Sequence, residues 1–84
     1  MAYVYILTSL KDNKRYIGST INLERRLKEH ANGLVESTKN RRPLILKHYQ
    51  RFETLTEARV TEVRYKKSLG AYTKAIKEGM LKKA

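Results

Sequence analysis

The chain has no cysteine, a single proline and only two histidines, and just 8 of its 84 residues are acidic. Without cysteine there is no disulfide framework, no thiol nucleophile and no cysteine-held zinc or iron–sulfur centre. His30 and His48 alone argue against a dedicated zinc site. No apolar run approaches the ~20 residues needed to cross a bilayer. The start, Met1-Ala2-Tyr3-Val4-Tyr5-Ile6-Leu7, has neither the basic opening nor the longer apolar stretch of a secretory signal. These absences set the expectation of a soluble, cytoplasmic protein with no membrane partner.

What the sequence does have is an excess of one sign. Lys and Arg number 19 against the 8 acids, a formal charge of +11. A surface this basic suits a polyanion, because neutralising phosphates releases condensed counterions. Nucleic acid is therefore the first partner to consider. Charge kept for solubility alone is the plainer alternative. An anionic membrane surface comes third, since no helix pairs a basic face with a bulky aromatic one. Leu, Ile, Val and Phe make up 20 of the 84 residues, above the roughly 20% below which a highly charged chain stays disordered. A chain this short has surface enough for one core and not two, so residues 1–84 read as a single domain without repeats or linkers.

Tyr3-Val4-Tyr5-Ile6-Leu7-Thr8 is a β-branched and aromatic strand. Lys11-Asp12-Asn13-Lys14 is turn chemistry, and Arg15-Tyr16-Ile17-Gly18 returns to complete a hairpin. Thr20 or Asn22 caps a helix in which Leu23, Leu27, Ala31 and Leu34 repeat at helical spacing, with Gly33 as its stop. Residues 34–42 form a polar, basic connection, and Pro43 opens a third strand over Leu44–Phe52. Thr54-Leu55-Thr56-Glu57 matches a capping box and starts a helix running to about Ser68. Gly70 ends that helix, and a short last helix over Ala71–Glu78 closes at Gly79. The expected fold is α+β in the order β-β-α-β-α-α, a three-stranded, mainly antiparallel sheet flanked by helices.

Three features go beyond packing. Alternation puts Tyr3, Tyr5 and Leu7 on one strand face, and any even-length loop brings Tyr16 and Gly18 to that same face. Gly18 leaves a gap beside the phenols where another backbone can approach, although cross-strand aromatic pairs also simply stabilise sheets. Arg26 and His30 lie together at the edge of the first helix's apolar arc. Arg26 there either snorkels to solvent or turns its guanidinium toward the sheet as a bidentate phosphate clamp. Glu62 falls inside the stripe of Leu55, Ala58, Tyr65 and Leu69, where a carboxylate needs a partner. Lys66 at i+4 offers a surface ion pair; a hard divalent cation offers the other solution.

Taken together these residues resemble the GIY-YIG nuclease superfamily. Tyr3-Val4-Tyr5 and Tyr16-Ile17-Gly18 match its namesake elements, with Tyr3 in place of the first glycine. Gly18 through His30 is similar to the family's arginine-bearing helix, and Glu57 through Lys67 to the helix that carries its metal-binding glutamate. Arg41-Arg42-Pro43-Leu44 and the overall length resemble the small stand-alone bacterial members. The resemblance implies a metal-dependent nuclease acting on DNA with little intrinsic sequence specificity, in repair or recombination.

The resemblance also implies residue roles. Glu62 would hold one Mg²⁺ or Mn²⁺, and Arg26 would stabilise the charge developing on phosphorus. Tyr5, helped by Tyr16, would orient or deprotonate the attacking water once Lys14, Arg15 and the metal lower its pKa. His30 either shuttles protons or stands by at the helix edge. Lys14, Arg15, Lys39, Arg41 and Arg42 are the expected nucleic-acid contacts. The alternatives are a non-catalytic, basic nucleic-acid-binding module that retains the fold, and a subunit directed by a protein partner.

Overall fold

The alternating stretch that begins at Ala2 forms strand β1 (Ala2–Ser9), in the interior of the sheet. The structure, a computed structural model, describes all 84 residues. Strand β2 (Arg15–Thr20) returns antiparallel, with Tyr5 opposite Gly18 and Leu7 opposite Tyr16. The turn between them places Asn13 in the left-handed region at φ 59°, which an asparagine tolerates. Asp12 Oδ1 accepts the Lys14 N–H, and the Ser9 hydroxyl accepts the N–H groups of Lys11 and Asp12.

Helix α1 (Leu23–Ala31) is capped by Asn22, whose side chain accepts the Arg25 N–H. Thr20 turns its hydroxyl to the Asn22 N–H instead. The helix stops at Gly33, at φ +73°, where Gly33 N–H meets the His30 carbonyl and Leu34 N–H the Glu29 carbonyl. This is the Schellman pattern, which a left-handed glycine permits. A 3₁₀ turn at Lys39–Arg41 then leads into strand β3 (Leu44–Phe52), antiparallel to β1. Helix α2 (Leu55–Lys67) opens on the expected capping box between Thr54 and Glu57.

Two expectations about the C-terminal third require correction. Gly70 ends no helix: it lies within the first turn of helix α3 (Leu69–Lys77). The break belongs to Ser68, which terminates α2 and caps α3 by accepting the Ala71 N–H. The sheet has four strands rather than three, in the order β2-β1-β3-β4. Strand β4 (Lys82–Lys83) pairs with His48 and Tyr49 on the outer side of β3. Two lysines carry no strand signal; what holds them there is the neighbouring Leu81, buried in the core.

Strand β3 contains a bulge. Ile6 pairs with His48 but Leu7 pairs with Leu46, leaving Lys47 as an extra residue. The bulge reverses the alternation along β3, so Leu46 and Tyr49 both face the side of Leu7 and Tyr5. Phe52 and Gln50 turn to the other side, where Gln50 accepts the Tyr65 hydroxyl at 2.6 Å.

The main core lies between that second side and helices α2 and α3. It joins Ala2, Val4, Ile6 and Ile17 to Ala58, Tyr65, Tyr72, Ala75 and Leu81. On the opposite face, α1 and the following connection bury Tyr5, Leu7, His30, Val35 and Thr38. The apolar arc expected on α1 is rotated: Leu23 and Leu27 are half-buried, Ala31 and Leu34 are exposed, and His30 is the helix's one buried residue. The Schellman turn throws Leu34 outward, and Val35 takes the inner position. No helix is long and apolar enough to cross a membrane.

Candidate active site

Gly18 is the hinge of the site's geometry. A Cβ there would lie 2.5 Å from the Tyr5 hydroxyl oxygen and 3.1 Å from Tyr16 Cε2, so the missing side chain is the space the Tyr5 ring occupies. Tyr5 is 1% exposed, while Tyr16, near the start of the edge strand, is half-exposed. The imidazole of His30 stands edge-on to both phenols, with ring centroids 5.5 Å from Tyr5 and 5.2 Å from Tyr16.

The polar atoms of this cluster form one hydrogen-bonded chain. An arginine Nε can only donate, so Arg26 Nε gives its proton to Tyr5 Oη at 3.4 Å. Tyr5 Oη meets His30 Nε2 at 2.9 Å, and His30 Nδ1 meets Thr38 Oγ1 at 2.7 Å. Burial, reinforced by the Arg26 charge, pushes the His30 pKa down to about 4 against the milder upward pull of Glu29, so the ring is neutral at pH 7. His30 is thus a buried link in a chain of side chains rather than a helix-edge bystander.

Burial also pushes the Tyr5 phenol up to about 12; Arg26 opposes this, while Tyr16 and Glu62 add to it. Tyr5 therefore keeps its proton at neutral pH. Neither Lys14 nor Arg15 is among the groups acting on it. The Tyr5 hydrogen bond and then Glu29 raise Arg26 above the ordinary arginine value. Arg26 Nη1 pairs with Glu29 at 2.9 Å, and its side chain remains 35% exposed, so the held guanidinium still reaches solvent.

Glu62 approaches from the other face of the sheet, on α2. Its Oε1 accepts the Ser19 hydroxyl at 2.5 Å, and Lys66 Nζ lies 2.6 Å from Oε2. The Lys66 ion pair is therefore present, yet the Glu62 side chain is only 17% exposed. No cluster of three or more His, Cys, Asp or Glu is arranged to hold a metal. One carboxylate beside a serine hydroxyl fits a hard cation that keeps most of its waters and takes phosphate oxygens for the rest. It does not fit zinc.

The five expected nucleic-acid contacts divide. Lys14, Arg15, Tyr16 and Lys66 border an open groove of about 640 Å³, with the Arg15 guanidinium 4.5 Å above the Tyr72 ring. Lys39 pairs with Glu36 at 3.1 Å. Arg41 is occupied structurally, binding Asp12 at 3.0 Å and the Lys14 carbonyl at 3.1 Å. Arg42 lies over Gly33 and donates to the carbonyls of Lys39 and Ala31. Sequence reasoning missed Ser19 and Thr38. Ser19 carried a faint signal, a hydroxyl one residue beyond Gly18 on the strand face that meets α2; Thr38 sits in an aperiodic connection and carried none.

Residues 1–75 match the family described as the GIY-YIG catalytic domain. The chain belongs to the GIY-YIG family. It is 44% identical over 68 residues to a UPF0213 protein of Clostridium perfringens, covering 80% of this chain and 72% of that one. A UPF0213 protein of Syntrophus aciditrophicus is 40% identical over 67 residues, 77% of this chain and 76% of its own. A third, from Listeria welshimeri, is 39% identical over 66 residues, 77% and 72% of the two chains. No solved structure matches. The GIY-YIG match places the chain in a nuclease superfamily and spans Tyr5, Tyr16, Arg26, His30 and Glu62 in one domain.

Proposed function

We propose that this GIY-YIG chain is a divalent-metal-dependent nuclease that hydrolyses DNA phosphodiester bonds with little intrinsic sequence specificity, in the setting of DNA repair or recombination. The observation that carries the reading is the closing of the Tyr5 and Tyr16 rings on Gly18, where Tyr5 Oη receives the solvent-reaching Arg26, with Glu62 held at Ser19, the next residue on β2. Glu62 would hold one Mg²⁺ or Mn²⁺, which polarises the phosphate and stabilises the departing 3′ oxygen. Arg26, anchored at its Nε end by Tyr5, presents its remaining N–H donors to the non-bridging oxygens, where charge grows in the transition state. Tyr16 is the phenol on the solvent side and would orient the water whose oxygen bonds to phosphorus as the bond to the 3′ oxygen breaks, the water's proton leaving to solvent and the 3′ oxygen taking one up from solvent. Tyr5, still protonated, and His30 position Arg26 rather than take the water's proton. Lys14 and Arg15 line the approach of the neighbouring phosphates.

The test is cleavage of labelled linear, flapped and branched DNA with Mg²⁺ or Mn²⁺, beside an EDTA control. Glu62→Ala and Arg26→Ala are each expected to slow cleavage by about 100-fold or more while DNA binding in EDTA changes little. Equal residual cutting by wild type and both variants would mark a contaminant and remove the reading. The Lys66–Glu62 ion pair, which leaves the carboxylate balanced without metal, favours a second reading, a non-catalytic nucleic-acid-binding module. It predicts steeply salt-dependent binding with no metal-dependent loss of substrate.

A further inference from the structure

Tyr3 stands where the family's name has glycine, and no step proposed above uses it. It projects from β1 on the same face as Tyr5, and the Lys47 bulge brings Tyr49 to that face directly across from Tyr5. Helix α1 and the connection after it cover the Leu7 end of this face and leave the Tyr3 end open. Two shallow depressions lie there, of about 610 and 550 Å³, and both are lined by Tyr3 and Tyr49. The two half-buried phenols thus form the ridge that the depressions share.

The flanks of the ridge differ. Arg51, paired with Tyr3 across the ladder, and Lys82, paired with Tyr49, line the first depression. Neither takes part in any of the molecule's five ion pairs, so both are free for a ligand's charge. Leu23 and Leu27 give the second depression an apolar wall, and Glu24 at its rim is paired with Lys28. Aromatic rings on an open sheet face with unpaired cations alongside are what a single strand of nucleic acid requires: planes for the bases and charges for the phosphates.

We propose that Tyr3 and Tyr49 form a stacking subsite for unpaired bases of the DNA strand, so that the preferred substrate carries a single-stranded segment beside the phosphate held at Arg26. The proposal rests on the nuclease reading for the purpose of the subsite but not for its existence. Tyr5 links the two places, pairing with Tyr49 in the sheet and with Arg26 through its hydroxyl. A duplex offers no exposed base plane and gains nothing from the ridge.

The experiment uses the full chain carrying Glu62→Ala, in EDTA, so that binding is measured without cleavage. Fluorescence anisotropy compares a labelled single strand with a duplex of the same length, and a 2-aminopurine placed in the strand reports stacking by quenching. Tyr3→Ala and Tyr49→Ala are each expected to weaken single-strand binding about tenfold or more, to leave duplex binding within about twofold, and to abolish the quenching. Tyr3→Phe and Tyr49→Phe keep the ring and retain both properties. Tyr3→Leu and Tyr49→Leu preserve apolar bulk, so they hold the fold, checked by circular dichroism, yet lose the quenching as the alanine variants do. Equal weakening toward strand and duplex, no weakening, or phenylalanine variants as poor as alanine ones would overturn the proposal. Failure of the chain with Glu62 intact to cut any DNA with metal present would overturn the nuclease reading and leave the stacking result standing.

Discussion

Thr38 reaches Arg26 only through two other side chains. Its hydroxyl meets His30 Nδ1, His30 Nε2 meets Tyr5 Oη, and that phenol oxygen receives Arg26. A consequence is measurable. Folding lowers the His30 pKa from 6.5 to about 4, so as pH falls the unfolded chain takes up this proton first. Stability from this residue is therefore fully present above about pH 6.5, declines between there and pH 4, and the total loss is roughly 3 kcal/mol. Urea unfolding at pH 7 and pH 5 reads it. The drop is expected to persist in His48→Gln, whose histidine is shifted in the same direction, and to shrink in His30→Gln; an unchanged drop in His30→Gln would refute the assignment. Arg26 at the edge of an apolar arc and Glu62 inside an apolar stripe stood out in the sequence by position, and the phenols by their alternation beside Gly18. The linkage through Thr38 was not legible, since it depends on how an aperiodic connection folds back 8 residues later.

Among the elements, boundaries marked by local chemistry were readable and those set by distant packing were not. The Thr54–Glu57 capping box and the glycine stops at Gly33 and Gly79 are local, and all three stand where expected. The Lys47 bulge and strand β4 are tertiary: β4 has two residues and pairs because Leu81 anchors it. The two glycine stops provide an internal comparison. Both have φ near +75°, at +73° and +77°, and an alanine in that region costs roughly 1–2 kcal/mol. At Gly79 nothing lies within 4 Å of the added Cβ, whereas at Gly33 it meets Arg42 Cζ at 2.8 Å. Gly33→Ala must also displace a guanidinium that holds the carbonyls of Lys39 and Ala31. Gly33→Ala is thus expected to destabilise more than Gly79→Ala in urea unfolding, and the excess should vanish when both are made in an Arg42→Ala background. Equal losses in the wild-type background would mean that Arg42 does not hold the connection.

At the scale of the molecule, the charge of +11 is not one uniform coat. Arg41 ties the hairpin turn to the 34–42 connection through Asp12 and the Lys14 carbonyl, and Arg42 closes the end of α1. Lys14 and Arg15 border the groove beside Tyr16 with no acid against them. A cation that meets a phosphate contributes to the salt dependence of binding, and one engaged within the fold does not. Each phosphate contact adds about 0.9 to the slope of log affinity against log salt on duplex DNA and about 0.7 on single strands. Lys14→Ala and Arg15→Ala are therefore expected to flatten the slope by roughly that amount each, Lys14→Ala with little change in thermal stability and Arg15→Ala with a small loss from its contact with Tyr72. Arg41→Ala is expected to do the reverse, lowering the melting temperature while the slope holds. A slope that falls equally in all three variants would mean that the basic surface acts as a diffuse whole, and the division between structural and binding cations would have to be abandoned.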